Sequence, residues 1–395
     1  MRILYHHRIA SKDGQFTHIE EMVKALRNLG HEVRIVGPEV HNSDSGQGGS
    51  AGWVGALKAA LPSALYELAE VAYSVVAYRR LRRAVSDFKP DVIYERYALY
   101  QPAGVWASRR TGIPLLLEVN APYAISRRKY HALKLGWLAD HVERYTFTGA
   151  ARVFPVTQVL GDMLQAMGVS QERVRVIPNG INPEHYASVP SQDESKAQYG
   201  LTGRTVIGFI GFVREWDQLD RIVAWLAKRP KEDTLTLMVV GDGPVRAELE
   251  TQARELGIGH KLFFTGVVPR TAVPAAANAF DIALQTALVP YASPLCLFEY
   301  MALGKAVVAP DQPNHHEVLE RDVDCLMYNP AEVDGVEKRL DLIAQDAALR
   351  QRLGQSARAA FERRGFVWSA NAQRVVKAAC EVASPATHRP QPITS

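Results

Sequence analysis

The sequence predicts an α/β protein of two doubly wound, Rossmann-like parallel-sheet domains facing a cleft, and three observations carry that expectation. Short β-branched runs alternate with helical periods along most of the chain, the pattern of βαβ units. The alternation breaks once, around Ile177, at the turn Pro178-Asn179-Gly180 and a polar, Pro-containing stretch from Pro183 to Gln192 that suits a linker. The length, 395 residues, accommodates two domains of ordinary size.

The elements follow in order. Ile3-Leu4-Tyr5 reads as a first strand. Phe16, Ile19, Met22, Val23, Leu26 and Leu29 form one helical face, and Gly30 stands where a helix-ending glycine belongs. Val33 to Val36, Val92-Ile93-Tyr94, Leu115 to Val119, Val153 to Pro155 and Val174 to Ile177 read as further strands. Residues 41–52 are Gly/Ser-rich and aperiodic, which predicts a loop. Behind them, Trp53, Val54, Leu57 and Leu61 make an apolar stripe beside Lys58, either packed on its own domain or lying at a membrane interface. The second series comprises Val206 to Ile210, Thr236 to Val240, Leu262 to Thr265, Ile282 to Leu284, Ala306 to Val308 and Cys325 to Tyr328. A last helix, Trp368 to Val382, precedes a polar, Pro-rich tail. The expected division is a domain at 1–185, a second at 186–365, a helix at 366–383 packing back toward the first, and a disordered tail at 384–395.

Composition narrows the function classes. Hydrophobic residues make up 47% and charged residues 22%, an ordinary globular balance. The net charge of +4 excludes a polyelectrolyte binder, so nucleic acid is not an expected partner. The positive excess is uneven: residues 1–185 carry 23 basic and 17 acidic side chains, the remainder 23 and 25. Its clusters are Arg79-Arg80, Arg82-Arg83 and Arg127-Arg128-Lys129. Three widely spaced cysteines imply neither a disulfide framework nor a metal motif and fit a reducing compartment. The start shows no apolar signal region. The longest apolar stretch, Ala64 to Tyr78, is too short and, with Glu67 and Glu70, too charged to span a bilayer. A cytoplasmic location, with peripheral contact at the inner face of the membrane, is the expectation.

Two regions carry candidate chemistry. Gly14 precedes a helix start that favours an anion, and Lys12 adds charge; a GxGxxG fingerprint is absent. Ser293-Pro294 reads as a cap followed by the first helical residue. The amides of Leu295, Cys296 and Leu297 would then face an anion at the positive end of a helix. One turn further in, Glu299 is placed to accept hydrogen bonds from a sugar diol. Asp322-Val323-Asp324 matches a metal-binding spacing but precedes a strand and reads as a turn. No required metal or cofactor is expected.

The segment Tyr291 to Ala309 resembles the Glu-x7-Glu region of retaining GT-B glycosyltransferases of family 4, the group 1 glycosyl transferases, in particular their bacterial exopolysaccharide branch. Other matches lie in the same order: Asp13-Gly14-Gln15 with Gly30-His31-Glu32-Val33, then Ile177 to Ile181, Gly241-Asp242-Gly243-Pro244, and Phe264 to Val267. The resemblance implies a nucleotide-sugar donor of UDP or GDP type on the second domain. Glu299 would hold the ribose, Ser293 and the Leu295 to Leu297 amides with Gly14 the diphosphate, and Val267 the base. Arg214 is the candidate diphosphate cation. Asn120 stands where the family commonly has a histidine near the reacting carbon, and Glu118 is its candidate acid–base or orienting partner. Glu95-Arg96 would also face the cleft.

The departures are Phe212 and Asp217 at positions where the family places cations, Tyr291 at the first glutamate, and Cys296 at a usual lysine. The resemblance implies transfer with retention to a lipid-linked exopolysaccharide or cell-surface glycan acceptor. Two other readings share the architecture. One is a degenerate GT-B protein that binds glycan or a partner without turnover, suggested by Phe212, Asp217 and Cys296. The other is a sugar-nucleotide epimerase, which the Ser293 to Glu299 segment disfavours.

Overall fold

The computed structural model describes residues 1–10, 14–38, 62–130, 133–230, 232–286 and 289–383. Lys12, the 41–52 loop, the Trp53 to Leu61 stripe and the 384–395 tail lie outside these residues. The chain divides into two compact units. The first holds Met1–Asn179, Tyr291–Ser293 and the helix Trp368–Ala383, and the second holds Gly180–Pro290 and Pro294–Val367.

The first unit is a five-stranded parallel sheet of β1 (Arg2–His6), β2 (Glu32–Val36), β3 (Val92–Arg96), β4 (Leu115–Val119) and β5 (Arg152–Pro155), ordered β2-β1-β3-β4-β5. β3 and β4 are buried along their whole lengths, which is why they read as unbroken apolar runs up to their charged ends. The helix Gly14–Asn28 buries Ile19, Met22, Val23 and Leu26. It ends at Gly30, whose φ of +82° is open to glycine without strain. The helix Trp368–Ala383 packs against it, with Trp368 edge-on to His18 at 4.5 Å.

One expected strand is not formed. Val174 to Ile177 makes a single bridge, Val153 with Val174, held by the Arg175 and Ile177 amides on β5 carbonyls. It follows a one-turn 3₁₀ helix and runs at once into Pro178, which has no N–H to extend a ladder.

The second unit is a six-stranded parallel sheet of β6 (Thr205–Ile210), β7 (Leu235–Val240), β8 (Leu262–Gly266), β9 (Ile282–Leu284), β10 (Ala306–Pro310) and β11 (Cys325–Tyr328), ordered β11-β10-β9-β6-β7-β8. This is the order of a dinucleotide-type doubly wound sheet, with its switch point between β6 and β9. The stretch read as a linker is structured: Pro183–Tyr186 is a 3₁₀ helix capped by Asn182, and Gln192–Gln198 is a helix with a Ser191–Glu194 capping box.

The Gly241-Asp242-Gly243 motif has a packing cause. A Cβ at Gly241 would lie 2.0 Å from the Gly211 carbonyl oxygen, and one at Gly243 1.9 Å from that of Val213. Two backbones run in direct contact there, joined by Gly211 N to Val240 O at 3.1 Å and Val213 N to Asp242 O at 2.9 Å. The loop carrying Arg214 is thereby pinned. Among the described residues no helix is long and apolar enough to cross a membrane.

Candidate functional site

In the second unit, ligands of such a sheet are expected beyond the C-terminal ends of β6 and β9. The helix Leu295–Ala302 starts there and is fixed by the Ile210 amide donating to Tyr300 OH at 3.0 Å. Its first turn differs from the expected capped start. Ser293 belongs to the first unit, where its Oγ accepts from Asn179 N at 3.2 Å and its carbonyl from Asn179 Nδ2 at 2.6 Å. Held in this way, Ser293 does not cap; Pro294 occupies the cap position, without a side-chain bond to the helix. The Leu297 amide turns back to the Pro294 carbonyl at 3.3 Å, leaving the Leu295 and Cys296 amides as the leading donors at the helix start.

Glu299 is buried, and its Oε1 lies 2.6 Å from Arg270 Nη1. Tyr186, from the ordered linker, also hydrogen-bonds Glu299, and burial with that neighbour pushes its phenol far up. Neither partner was foreseen: Arg270 lies in a 3₁₀ turn after the exposed Val267, and no local pattern marks it. Cys296 Sγ donates to Gln285 Oε1 at 3.2 Å, and burial, with Glu299 nearby, pushes the thiol up to about 12. It is a neutral donor at the end of β9, not a nucleophile.

Arg214 is exposed, its guanidinium 5.1 Å from the Phe212 ring and 5.0 Å from the Trp216 ring. Asp217 does not face a ligand as an extra negative charge. It is buried and accepts the Arg214 amide at 2.8 Å, closing the turn, and burial raises its carboxyl against that bond and the Arg214 charge. Asp322-Val323-Asp324 forms a turn, with Asp324 Oδ1 accepting the Glu320 amide at 2.7 Å.

In the first unit the candidate residues collect at the ends of β3 and β4. Glu118 is buried and ringed by donors: Asn120 Nδ2 at 2.6 Å, Tyr94 OH at 2.9 Å, Tyr5 OH at 3.5 Å, and Arg96 Nη1 in a closer pair. His18 Nδ1 lies 3.2 Å away and accepts from Arg96 Nη1 at 2.9 Å. Burial keeps His18 neutral, down to about 4. Burial raises the Glu118 carboxyl, but His18, Arg96, Asn120 and Tyr94 together hold it below its ordinary value. A carboxylate surrounded by these donors is suited to orienting a neighbouring group. Asn120 is half-buried at the strand end, and Gly14 begins its helix.

Glu95 and Arg96 are spent on partners inside the first unit. Both are buried, Arg96 on Glu118 and Glu95 on His6 Nδ1 at 2.5 Å. The Arg127-Arg128-Lys129 cluster is also partly neutralised: Arg127 grips Glu70 at 2.5 and 2.9 Å, and Arg128 pairs with Asp140 at 2.9 Å. Tyr291, at the family's first glutamate, sits in the first unit with its hydroxyl 2.6 Å from Ser126 Oγ and its carbonyl on Thr157 Oγ1 at 2.9 Å.

Comparison with known proteins agrees with this architecture. Residues 13–180 match a glycosyl transferase 4-like domain and residues 191–360 match glycosyl transferases group 1. The chain is 31% identical over 196 residues to 2-deoxystreptamine glucosyltransferase of Streptomyces kanamyceticus, covering 46% of this chain and 49% of that protein. It is 23% identical over 350 residues to a GDP-mannose-dependent alpha-mannosyltransferase of Mycolicibacterium smegmatis, covering 88% of each. The matches to the first curated relatives span about half of their lengths. Among solved structures, Anabaena HepE in complex with UDP and glucose aligns with a TM-score of 0.73 at 19% identity, over 96% of this chain and 100% of that one. With both domain models matched in order, and each unit folded as a doubly wound sheet, the chain belongs to the group 1 glycosyl transferases of GT-B fold.

Proposed function

We propose that this protein is a retaining glycosyltransferase that moves a sugar from a nucleotide diphosphate donor to a lipid-linked exopolysaccharide or cell-surface glycan acceptor at the inner face of the membrane. The observation that carries the donor half is the cluster at the β6–β9 switch point. There a buried carboxylate, Glu299, lies one turn inside a helix whose first amides suit a diphosphate. In this reading Glu299 holds the ribose and Arg270 orients it. Leu295, Cys296 and Leu297 form the helix start at the diphosphate, with Ser293 at its base. Arg214 supplies the cation, and Val267 lies at the base. Names of relatives support the donor class: one is described as GDP-mannose-dependent, and HepE was solved with UDP-glucose.

The acceptor half rests on Asn120 and on the saturation of Glu118. With Glu118 taken up by these donors, the proton of the attacking hydroxyl passes to an oxygen of the departing diphosphate. The acceptor O–C1 bond forms as the C1–O bond to phosphate breaks, on the same face of the sugar. Positioned dipoles and cations supply the catalysis, and no resident metal is required.

A thermal-shift screen with UDP- and GDP-sugars tests the donor class. One base is expected to raise Tm by several degrees; no rise with any nucleotide sugar contradicts the proposal.

A further inference from the structure

The helix Ser63–Phe88 has two faces of unlike chemistry. Its inner face buries Ala77, Leu81, Val85 and Phe88 together with Glu67, Glu70 and Ser74. Both carboxylates are satisfied inside the unit. Glu67 accepts the Lys134 and Leu135 amides and Tyr100 OH, and Glu70 is held by Arg127 and Arg8. The usual order of an amphipathic helix is therefore inverted at this end, with acids inside and apolar side chains outside.

Leu65, Leu68, Val75 and Val76 are 51%, 48%, 42% and 42% exposed. At 100° per residue they fall within an arc of about 100°, running about 16 Å along the axis. The same arc continues through Arg79 and Arg83, flanked by Arg80 and Arg82, all four exposed. Two of them make contacts with neutral groups: Arg80 donates to Tyr73 OH at 3.3 Å, and Arg82 lies 5.9 Å from the Tyr78 ring. The adjoining helix Ala103–Thr111 adds exposed Arg109 and Arg110 in its last turn. Against these charges the outer end of the face carries one acid, Asp87.

We propose that this face of the Ser63–Phe88 helix docks the protein on an anionic phospholipid bilayer, with Leu65, Leu68, Val75 and Val76 entering the interface and Arg79 to Arg83 meeting lipid phosphates. Charge complementarity selects the occupant. An exposed arc that is apolar for three turns and cationic for the next matches acyl–headgroup boundary and phosphate in series. A second copy of the same face would bring arginines against arginines or against apolar side chains. The proposal rests on the membrane-held acceptor reading for its purpose, and it gives that reading a surface.

Co-sedimentation of the full chain with phosphatidylcholine vesicles, with and without phosphatidylglycerol, tests it. The chain is expected to pellet with phosphatidylglycerol vesicles at about 0.1 M salt and to be released toward about 1 M, where screening shortens to about 3 Å. The combined change Arg79→Gln, Arg80→Gln, Arg82→Gln and Arg83→Gln should lower binding by more than about tenfold. The pair Leu65→Gln and Leu68→Gln, read separately, should lower it on either vesicle. Substitutions at exposed positions should leave the melting curve in place. Absent binding to anionic vesicles, binding unchanged in both variants, or a concentration-dependent dimer abolished by the leucine pair overturns the proposal. Nucleotide release assayed with detergent-dispersed acceptor is independent of vesicles, so intact turnover without vesicle binding overturns this inference alone.

Discussion

Asn120 Nδ2 donates to Glu118 Oε1 at 2.6 Å. A carboxylate only accepts, so this bond fixes the amide and turns the Asn120 carbonyl oxygen away from Glu118, where it can accept from an acceptor hydroxyl. The two residues therefore have separable tasks. Glu118→Gln leaves Arg96 buried against a neutral group and should cost about 3–5 kcal/mol of stability in denaturant unfolding. Asn120→Ala removes one bond at a half-buried site. It should cost about 1 kcal/mol of stability while lowering kcat by at least about tenfold. Equal loss of stability in both variants would deny Asn120 its own role.

Glu143 provides a pH signature. Its Oε1 accepts Tyr97 OH at 2.8 Å and the Ala124 amide at 3.2 Å, and burial, outweighing those bonds, pushes its carboxyl from 4.5 up to about 7. The folded state thus holds a proton that the unfolded chain releases. The stabilisation is complete below pH 4.5 and is lost as pH rises to about 7, by roughly 3 kcal/mol in all. Glu143→Gln keeps a neutral side chain at every pH. Its Tm advantage over wild type should grow between pH 5 and pH 7 and then level off. A constant difference contradicts the assignment.

The Arg270–Glu299 ion pair gives a third expectation. Arg270→Gln leaves Glu299 buried opposite a weaker donor. It should lower Tm by several degrees and weaken nucleoside binding by about tenfold or more, read by calorimetry. Unchanged nucleoside affinity would remove the pair from ribose recognition.

Arg214 should discriminate within the nucleotide. Its guanidinium lies between the Phe212 and Trp216 rings, exposed and available to an anion. Arg214→Ala should weaken nucleoside diphosphate binding by about 1.5–3 kcal/mol and leave the nucleoside nearly unaffected. A parallel loss of both would place Arg214 elsewhere in the site.

Much of this was legible in the sequence. All eleven strands among the described residues follow from β-branched or apolar runs in the stated order, because buried parallel strands leave an apolar signal that needs no partner to be read. Val174 to Ile177 is over-read, because a run of β-propensity says nothing about how the proline after it stops the ladder. Glu299 was legible as a carboxylate one turn inside a helix. Its partner Arg270 was not, because the two meet across 29 residues of chain through tertiary packing. Ser293 illustrates the same limit: Ser-Pro is a good local start signal, yet Asn179, far away in sequence, takes the side chain. Asp217 reads as an added negative charge, and Glu95 as a residue turned toward a ligand, until their buried partners, the Arg214 amide and His6, are in view.

The most direct test of glycosyl transfer is nucleotide diphosphate release from the donor found in the thermal-shift screen, measured with a membrane lipid extract as acceptor, for wild type and Glu299→Gln. The account predicts acceptor-dependent release by wild type, a loss of at least about tenfold in the variant, and full activity in the presence of EDTA. Donor binding without acceptor-dependent release from wild type, or equal release by the variant, would contradict it.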